Sequence, residues 1–185
     1  QSIGGIVNIS SVATLQLGNT SSGTYNITAN ISGAGNFYGH TSNVNFLPGC
    51  VYNLSGNLGT YSGTINFNTG MTLTNIGTIN SSTGTINIQS GLTSYTIGTS
   101  LALNVGGVVN FNSGRTLTFS SINVNGTIGG IDTILVSGSA TFTGGGISGS
   151  GPFNLLPGSV MDINGSGFTA NKVVNNSGII NWLQG

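Results

Sequence analysis

The sequence has very little charge. Only four side chains are formally charged, Asp132, Asp162, Arg115 and Lys172, whereas ordinary globular domains carry roughly 25% charged residues. Two cations cannot form the basic patch that neutralises nucleic-acid phosphates, and they cannot form a polybasic membrane-binding surface either. We therefore expect no nucleic-acid partner.

Long hydrophobic runs and paired cysteines are also missing. No stretch approaches the roughly 18 unbroken apolar residues of a transmembrane helix, so we expect no membrane insertion. Cys50 is the single cysteine and cannot form an intrachain disulfide. Its expected role is that of a small buried apolar side chain. No cluster of histidine, cysteine or carboxylate side chains indicates a metal or another cofactor, and none is expected.

Glycine, asparagine, serine and threonine make up most of the chain. There are 33 glycines, 25 asparagines and 47 serines plus threonines, together with 37% hydrophobic residues and no net charge. Disorder goes with low hydrophobicity and high net charge, so we expect a folded chain. These polar residues are weak helix formers, and apolar residues alternate with polar ones, as in Ile65-Asn66-Phe67. The pattern predicts an all-β protein built from short strands.

A phrase of the form apolar-Asn-apolar-x-x-Gly recurs along the chain. The full copies occupy residues 44–49, 65–70, 86–91, 109–114, 153–158 and 180–185. Weaker copies are centred on Asn8, Asn26 and Leu135, and the nine centres lie about 22 residues apart on average. A propeller blade needs about 40 residues, so this period indicates a solenoid.

The repeat predicts a single parallel β-helix (β-solenoid) domain over residues 1–185, with about nine rungs of roughly 22 residues. The last rung is expected to be incomplete, because no second or third strand follows the phrase centred on Asn181. Two explanations are open. The chain is a fragment of a longer repeat protein, or the next subunit completes the rung by stacking head to tail into an open filament.

The glycine-paced run over residues 63–80 resembles the β-helices of bacterial secreted surface proteins, especially filamentous-haemagglutinin-type adhesins and autotransporter passengers. The resemblance implies an extracellular or cell-surface location and structural or adhesive work. It implies no catalytic residue.

Asparagine at the centre of the phrase is the most specific feature, because asparagine is normally depleted in strands. Stacked amides in register can hydrogen-bond along the axis of a solenoid, so we expect a structural asparagine ladder. The alternative is a polar surface for glycans, as in a segment of a larger adhesin. The ladder consists of Asn8, Asn26, Asn45, Asn66, Asn87, Asn110, Asn154 and Asn181.

Three Thr-x-Thr pairs form a second candidate array. Flat arrays of such pairs are typical of β-solenoid ice-binding proteins, but threonine is also simply a good strand residue. Intervening repeats lack the pair, so the resemblance is incomplete. The candidate residues are Thr72, Thr74, Thr116, Thr118, Thr141 and Thr143.

Catalysis has little support in the sequence. Asp132 and Asp162 occupy different phases of the repeat, so they should not face each other as paired glycosidase carboxylates do. His40 has no acidic neighbour in sequence. We expect a non-enzymatic protein.

Apolar residues near both termini are candidates for end-to-end contacts between copies of the chain. With net charge near zero, nothing electrostatic opposes such association. The candidates are Ile3, Ile6, Ile180, Trp182 and Leu183.

Overall fold

A computed structural model describes residues 1–19, 22–95 and 102–183. The chain winds into a β-solenoid of about eight turns with a repeat of about 21 residues, and every strand pairing is parallel. The predicted all-β solenoid is therefore confirmed. Its strands form three sheets, called A, B and C below, and the chain visits them in that order in each of the first five turns.

Sheet A has nine strands and runs along the whole solenoid. They are β1 (Ser2–Ile3), β4 (Thr24–Ile27), β7 (Asn43–Phe46), β10 (Thr64–Phe67), β13 (Thr85–Ile88), β16 (Val108–Phe111), β18 (Thr127–Gly130), β20 (Gly146–Ser148) and β23 (Thr169–Asn171).

Sheets B and C are separate in the first five turns. Sheet B consists of β2 (Ile6–Ile9), β5 (Asn30–Gly33), β8 (Val51–Leu54), β11 (Thr72–Ile76) and β14 (Ser94–Tyr95). Sheet C begins with β3 (Thr14–Leu17), β6 (Asn36–Gly39), β9 (Leu58–Thr60), β12 (Ile79–Ser81) and β15 (Ala102–Val105).

Two long strands change this arrangement in the later turns. Strands β17 (Thr116–Val124) and β19 (Thr133–Phe142) each run where two short strands lie in earlier turns, and both belong to sheet C. The first half of β19 pairs with β21 (Phe153–Leu155), which pairs with β24 (Val174–Asn176). The second half pairs with β22 (Val160–Ile163), which pairs with β25 (Ile179–Trp182).

The core is a set of side-chain columns that run along the axis. Strands alternate inward and outward residues, and in-register pairing places Phe67 of one turn directly on Phe46 of the turn before. Their rings stack with centroids 4.8 Å apart. The Tyr52 ring packs edge-on against Phe46 at 5.4 Å and against Phe67 at 5.3 Å. All three side chains are fully buried.

The glycine that ends the repeated phrase makes the corner between sheets A and B. Gly49, Gly70, Gly91 and Gly114 all have φ between 70° and 84°, a left-handed conformation that only glycine adopts without strain. This requirement explains why glycine recurs three residues after the second apolar residue of the phrase.

A second set of glycines lets the backbones of successive turns approach closely. Gly84, Gly107, Gly126 and Gly145 follow one another at the corner between sheets C and A. A Cβ on Gly107 would lie 2.1 Å from the carbonyl oxygen of Gly84, and one on Gly126 would lie 1.9 Å from that of Gly107. Any larger residue here would force neighbouring turns apart.

The last layer of the solenoid differs from the expectation. Asn181 lies in β25, which comes after β23 and β24, so this layer has three strands: β23 pairs with β20, β24 with β21 and β25 with β22. The prediction that the final rung lacks its second and third strands was wrong, because the phrase centred on Asn181 occupies the third strand position of a turn.

Candidate functional site

Five of the eight predicted asparagines form one hydrogen-bonded ladder on the outer side of sheet A. Each side-chain Nδ2 donates to the Oδ1 of the asparagine one turn earlier. Asn45 donates to Asn26 at 3.1 Å, Asn66 to Asn45 at 2.9 Å, and Asn87 to Asn66 and Asn110 to Asn87 both at 2.8 Å. The amides are half-buried against one another, and they serve as structural cross-links between turns.

The ladder ends at Gly129, which pairs with Asn110 in the next turn. A Cβ on Gly129 would lie 2.2 Å from Oδ1 of Asn110, so the amide of Asn110 leans over the bare glycine backbone. Ser148 and Asn171 continue the column beyond it.

The other three predicted ladder residues lie elsewhere, which corrects the prediction of a single column of eight. Asn8 is in sheet B opposite Ser32. Asn154 is in β21 and accepts a hydrogen bond from Asn175 at 2.7 Å. Asn181 is in β25 and donates to Oδ1 of Asp162 at 2.8 Å. The same local phrase occurs on different sheets, because turn lengths vary and shift the phase.

The threonine pairs do not come together as one array, contrary to the ice-binding hypothesis. Thr72 in β11 pairs with Val51 and Ser94, so no second Thr-x-Thr pair lies beside it. The remaining pairs are in other strands. Thr116 and Thr118 lie in the first half of β17, whereas Thr141 and Thr143 lie at the end of β19 or just after it.

Three of the four charged residues meet at one corner. The Asp132 carboxylate is 1% exposed and accepts hydrogen bonds from Ser113 Oγ at 2.5 Å and from the Gly114 amide at 2.6 Å. The Arg115 amide also donates to it, at 3.3 Å. Lys172 Nζ donates to the Asp132 carbonyl oxygen at 3.2 Å. Asp132 thus fixes the turn that precedes β17.

Burial shifts the pKa of two side chains, Lys172 and Cys50. Desolvation lowers the pKa of Lys172 below its ordinary value, and the nearby charge of Asp132 partly offsets that effect. Cys50 is buried, as expected, and desolvation raises the pKa of its thiol above the ordinary value. A protonated, inaccessible thiol is a poor nucleophile, so Cys50 is a packing residue.

A groove of about 420 Å³ runs along the outer side of sheet C in the first four turns. Its central column is Gln16, Tyr38, Gly59 and Asn80, which pair in register from turn to turn. The Tyr38 ring covers Gly59, because a Cβ on that glycine would lie 2.2 Å from Tyr38 Cε1. Because Gly59 has no side chain, the tyrosine ring can pack directly on its backbone.

A second aromatic pair borders the groove. The rings of His40 and Tyr61 stack with centroids 4.9 Å apart and planes 6° from parallel. Tyr61 is 57% exposed, and His40 Nδ1 is buried without a hydrogen-bond partner among the described residues.

This groove was not among the sites predicted from the sequence. A signal was nevertheless present, because His40 and Tyr61 are 21 residues apart, which is one turn of the solenoid. The same spacing separates Tyr38, Gly59 and Asn80. The 21-residue repeat therefore predicts that these residues lie in neighbouring turns.

The candidate end residues lie in the terminal layers but differ in orientation. Ile3 in β1 and Ile180 in β25 stack on the buried Ile27 and Met161. Trp182 is 61% exposed, and Leu183 is 56% exposed. Ile6 pairs with Asn30 on the outer side of sheet B, so it belongs to the lateral surface.

Comparison of the chain with protein-family models, curated proteins and solved structures found no match in any of the three. The likeness to bacterial surface β-helices therefore stays a resemblance in fold. In the described ranges no helix is long and apolar enough to cross a membrane. Nor do three or more histidine, cysteine or carboxylate side chains come together there as a possible metal site.

Proposed function

We propose that this chain is an extracellular, non-enzymatic structural rod whose copies stack head to tail. The observation that carries the proposal is the C-terminal layer. Ile180 is 39% exposed there and Trp182 is 61% exposed, although they stand in register on the buried Met161 and Ile163. An interior column thus continues to the end of the solenoid and stops at an apolar surface.

The occupant we propose for this end is the N-terminal layer of a second copy. That layer presents β1, β2 and β3, one strand from each of the three sheets, and the C-terminal layer likewise presents three strands, β23, β24 and β25. Parallel strands can continue across such a junction with the same spacing of about 4.8 Å. The contact joins two different surfaces and does not close on itself, so it generates an open filament.

The extracellular location is supported by the composition and by the resemblance of residues 63–80 to secreted surface β-helices. Neutral amide and hydroxyl side chains cover the rod, and contacts between copies would depend on apolar packing and hydrogen bonds.

Electron microscopy and sedimentation of the purified chain over a range of concentrations test the proposal. The wild-type chain should form rods that lengthen with concentration, and Trp182→Asp should remain monomeric because a carboxylate cannot be buried in the junction. Ile131→Asp is the control, since Ile131 is a similarly exposed (51%) apolar residue outside the terminal layers. Persistent wild-type monomers, or equal loss of assembly in both variants, would contradict it.

A further inference from the structure

We propose that the groove on sheet C binds a neutral oligosaccharide. This inference is separate from filament assembly, because the groove lies on the lateral surface of the first four turns and not on a terminal layer. It also differs from the glycan surface considered on the asparagine ladder, whose amides are used in hydrogen bonds with one another.

The aromatic side chains provide platforms for sugar rings. One face of a pyranose carries several C–H groups, which pack against the electron-rich face of an aromatic ring. Tyr38 lies over Gly59, and Tyr61 is held by stacking on His40 with the ring centroids 4.9 Å apart. Because both rings are fixed before a ligand arrives, binding loses little side-chain entropy.

The polar side chains around these rings match the hydroxyl groups of a sugar. Gln16 and Asn80 stand in the same column as Tyr38 and are exposed. Each amide can donate and accept hydrogen bonds. A groove of about 420 Å³ is within the usual range of small-ligand sites.

The charge distribution selects an uncharged ligand. No charged side chain occurs before Arg115, so the four turns that form the groove carry none. The first charge in the central column of sheet C is Asp162, four layers beyond Asn80. That separation is about 19 Å along the axis, well beyond the Debye length of about 8 Å at physiological salt.

The groove continues along the axis, which favours a linear chain of sugars over a single ring. A neighbouring groove of about 510 Å³ shares Asn80 and Ser82 with the first and extends to Asn125 and Thr143. Its outer side chains are amides and hydroxyls as well. An oligosaccharide would therefore lie parallel to the rod, with its sugar rings on Tyr38 and Tyr61.

Isothermal titration calorimetry with neutral trisaccharides, built from glucose, galactose, mannose or N-acetylglucosamine, tests this site. At least one should bind saturably, and Tyr61→Ala and Asn80→Ala should each weaken binding, the tyrosine change by about fivefold or more. Tyr61→Phe keeps the ring and should retain most of the affinity. Thr74→Ala, an exposed change on sheet B, is the matched control and should leave binding unchanged.

Three results would overturn the proposal. The first is the absence of saturable binding for every neutral trisaccharide, and the second is equal affinity in wild type and Tyr61→Ala. The third is binding that is confined to a sulfated trisaccharide and is lost on adding salt. Repeating the titration with the Trp182→Asp chain separates this site from assembly, because a monomeric rod should bind the sugar as wild type does.

Discussion

At the scale of single residues, Tyr52 places a polar group where the core offers it no partner. Its ring packs edge-on against Phe46 and Phe67, and its hydroxyl is buried without a hydrogen-bond partner among the described residues. The ring supplies apolar packing, while the buried hydroxyl costs desolvation free energy.

We therefore expect Tyr52→Phe to raise the free energy of unfolding by about 1 kcal/mol, because the ring stays and the unpaired hydroxyl is removed. Equilibrium urea unfolding measures the change. Tyr61→Phe is the control and should have little effect, since Tyr61 is 57% exposed. A loss of stability in Tyr52→Phe would show that the hydroxyl has a partner.

The same variant should also change the alkaline limit of stability. Burial raises the pKa of Tyr52 in the folded chain, whereas a tyrosine in the unfolded chain ionises near pH 10. The stability from Tyr52 is therefore complete below about pH 10 and is lost as the pH rises further. Lys172, whose pKa is lowered from 10.5, acts in the opposite direction as the pH rises toward that value. Lys172 is present in both wild type and Tyr52→Phe, so the difference in the pH dependence of their unfolding free energies isolates the effect of Tyr52.

At the scale of strands and turns, the corner between sheets C and A depends on glycine. We expect Gly126→Ala to destabilise the fold by about 2–3 kcal/mol or to prevent folding, because its Cβ would lie 1.9 Å from the Gly107 carbonyl oxygen. Gly23→Ala is the matched control. Its Cβ would be 3.7 Å from the nearest atom, Tyr25 Cε2, so thermal unfolding should show no loss. Equal melting temperatures for both variants would contradict this account.

The asparagine ladder ties neighbouring strands of sheet A together. Asn66→Ala removes two side-chain hydrogen bonds, to Asn45 and from Asn87, whereas Asn26→Ala removes only the one from Asn45. We expect a cost of about 1–2 kcal/mol for Asn66→Ala and about half as much for Asn26→Ala. Urea unfolding of the two variants gives the comparison, and equal costs would contradict a cost set by the number of ladder hydrogen bonds removed.

At the scale of the whole molecule, the scarcity of charge governs how copies associate. The terminal layers offer apolar side chains and strand edges, and Lys172 in the last layer is 7% exposed. We expect the association constant from sedimentation to change little between about 0.01 M and 0.15 M salt, although the Debye length falls from about 30 Å to 8 Å. Disruption of the rods over that range would indicate an electrostatic junction.

The sequence predicted the class of fold because its signals are local. Alternation in Ile65-Asn66-Phe67 specifies a strand with two apolar side chains on its inward face, and Gly70 specifies the left-handed turn after it. A constant spacing of 21 residues between Asn45, Asn66 and Asn87 then stacks identical strands. In this part of the chain, the repeat therefore predicted both the asparagine ladder and the column of stacked core side chains.

The predictions failed where the phase of the repeat changes. The phrase around Asn154 is as complete as the one around Asn110, yet Asn110 lies in sheet A and Asn154 in sheet C. The long strand β19 replaces two short strands and their connecting turn, so the turns around it differ in length. A local phrase defines a strand followed by a turn, but not the sheet to which the strand belongs.

The sequence by itself determined the strands, the glycine corners, the repeat length and the near absence of charge, because backbone preference and side-chain alternation act over a few residues. Only the tertiary structure decided which residues meet where the turn lengths change: Asn181 with Asp162, and Ser113 and Gly114 with Asp132. These contacts join residues about one turn apart. They depend on the summed length of every strand and corner between them, which a local pattern does not fix.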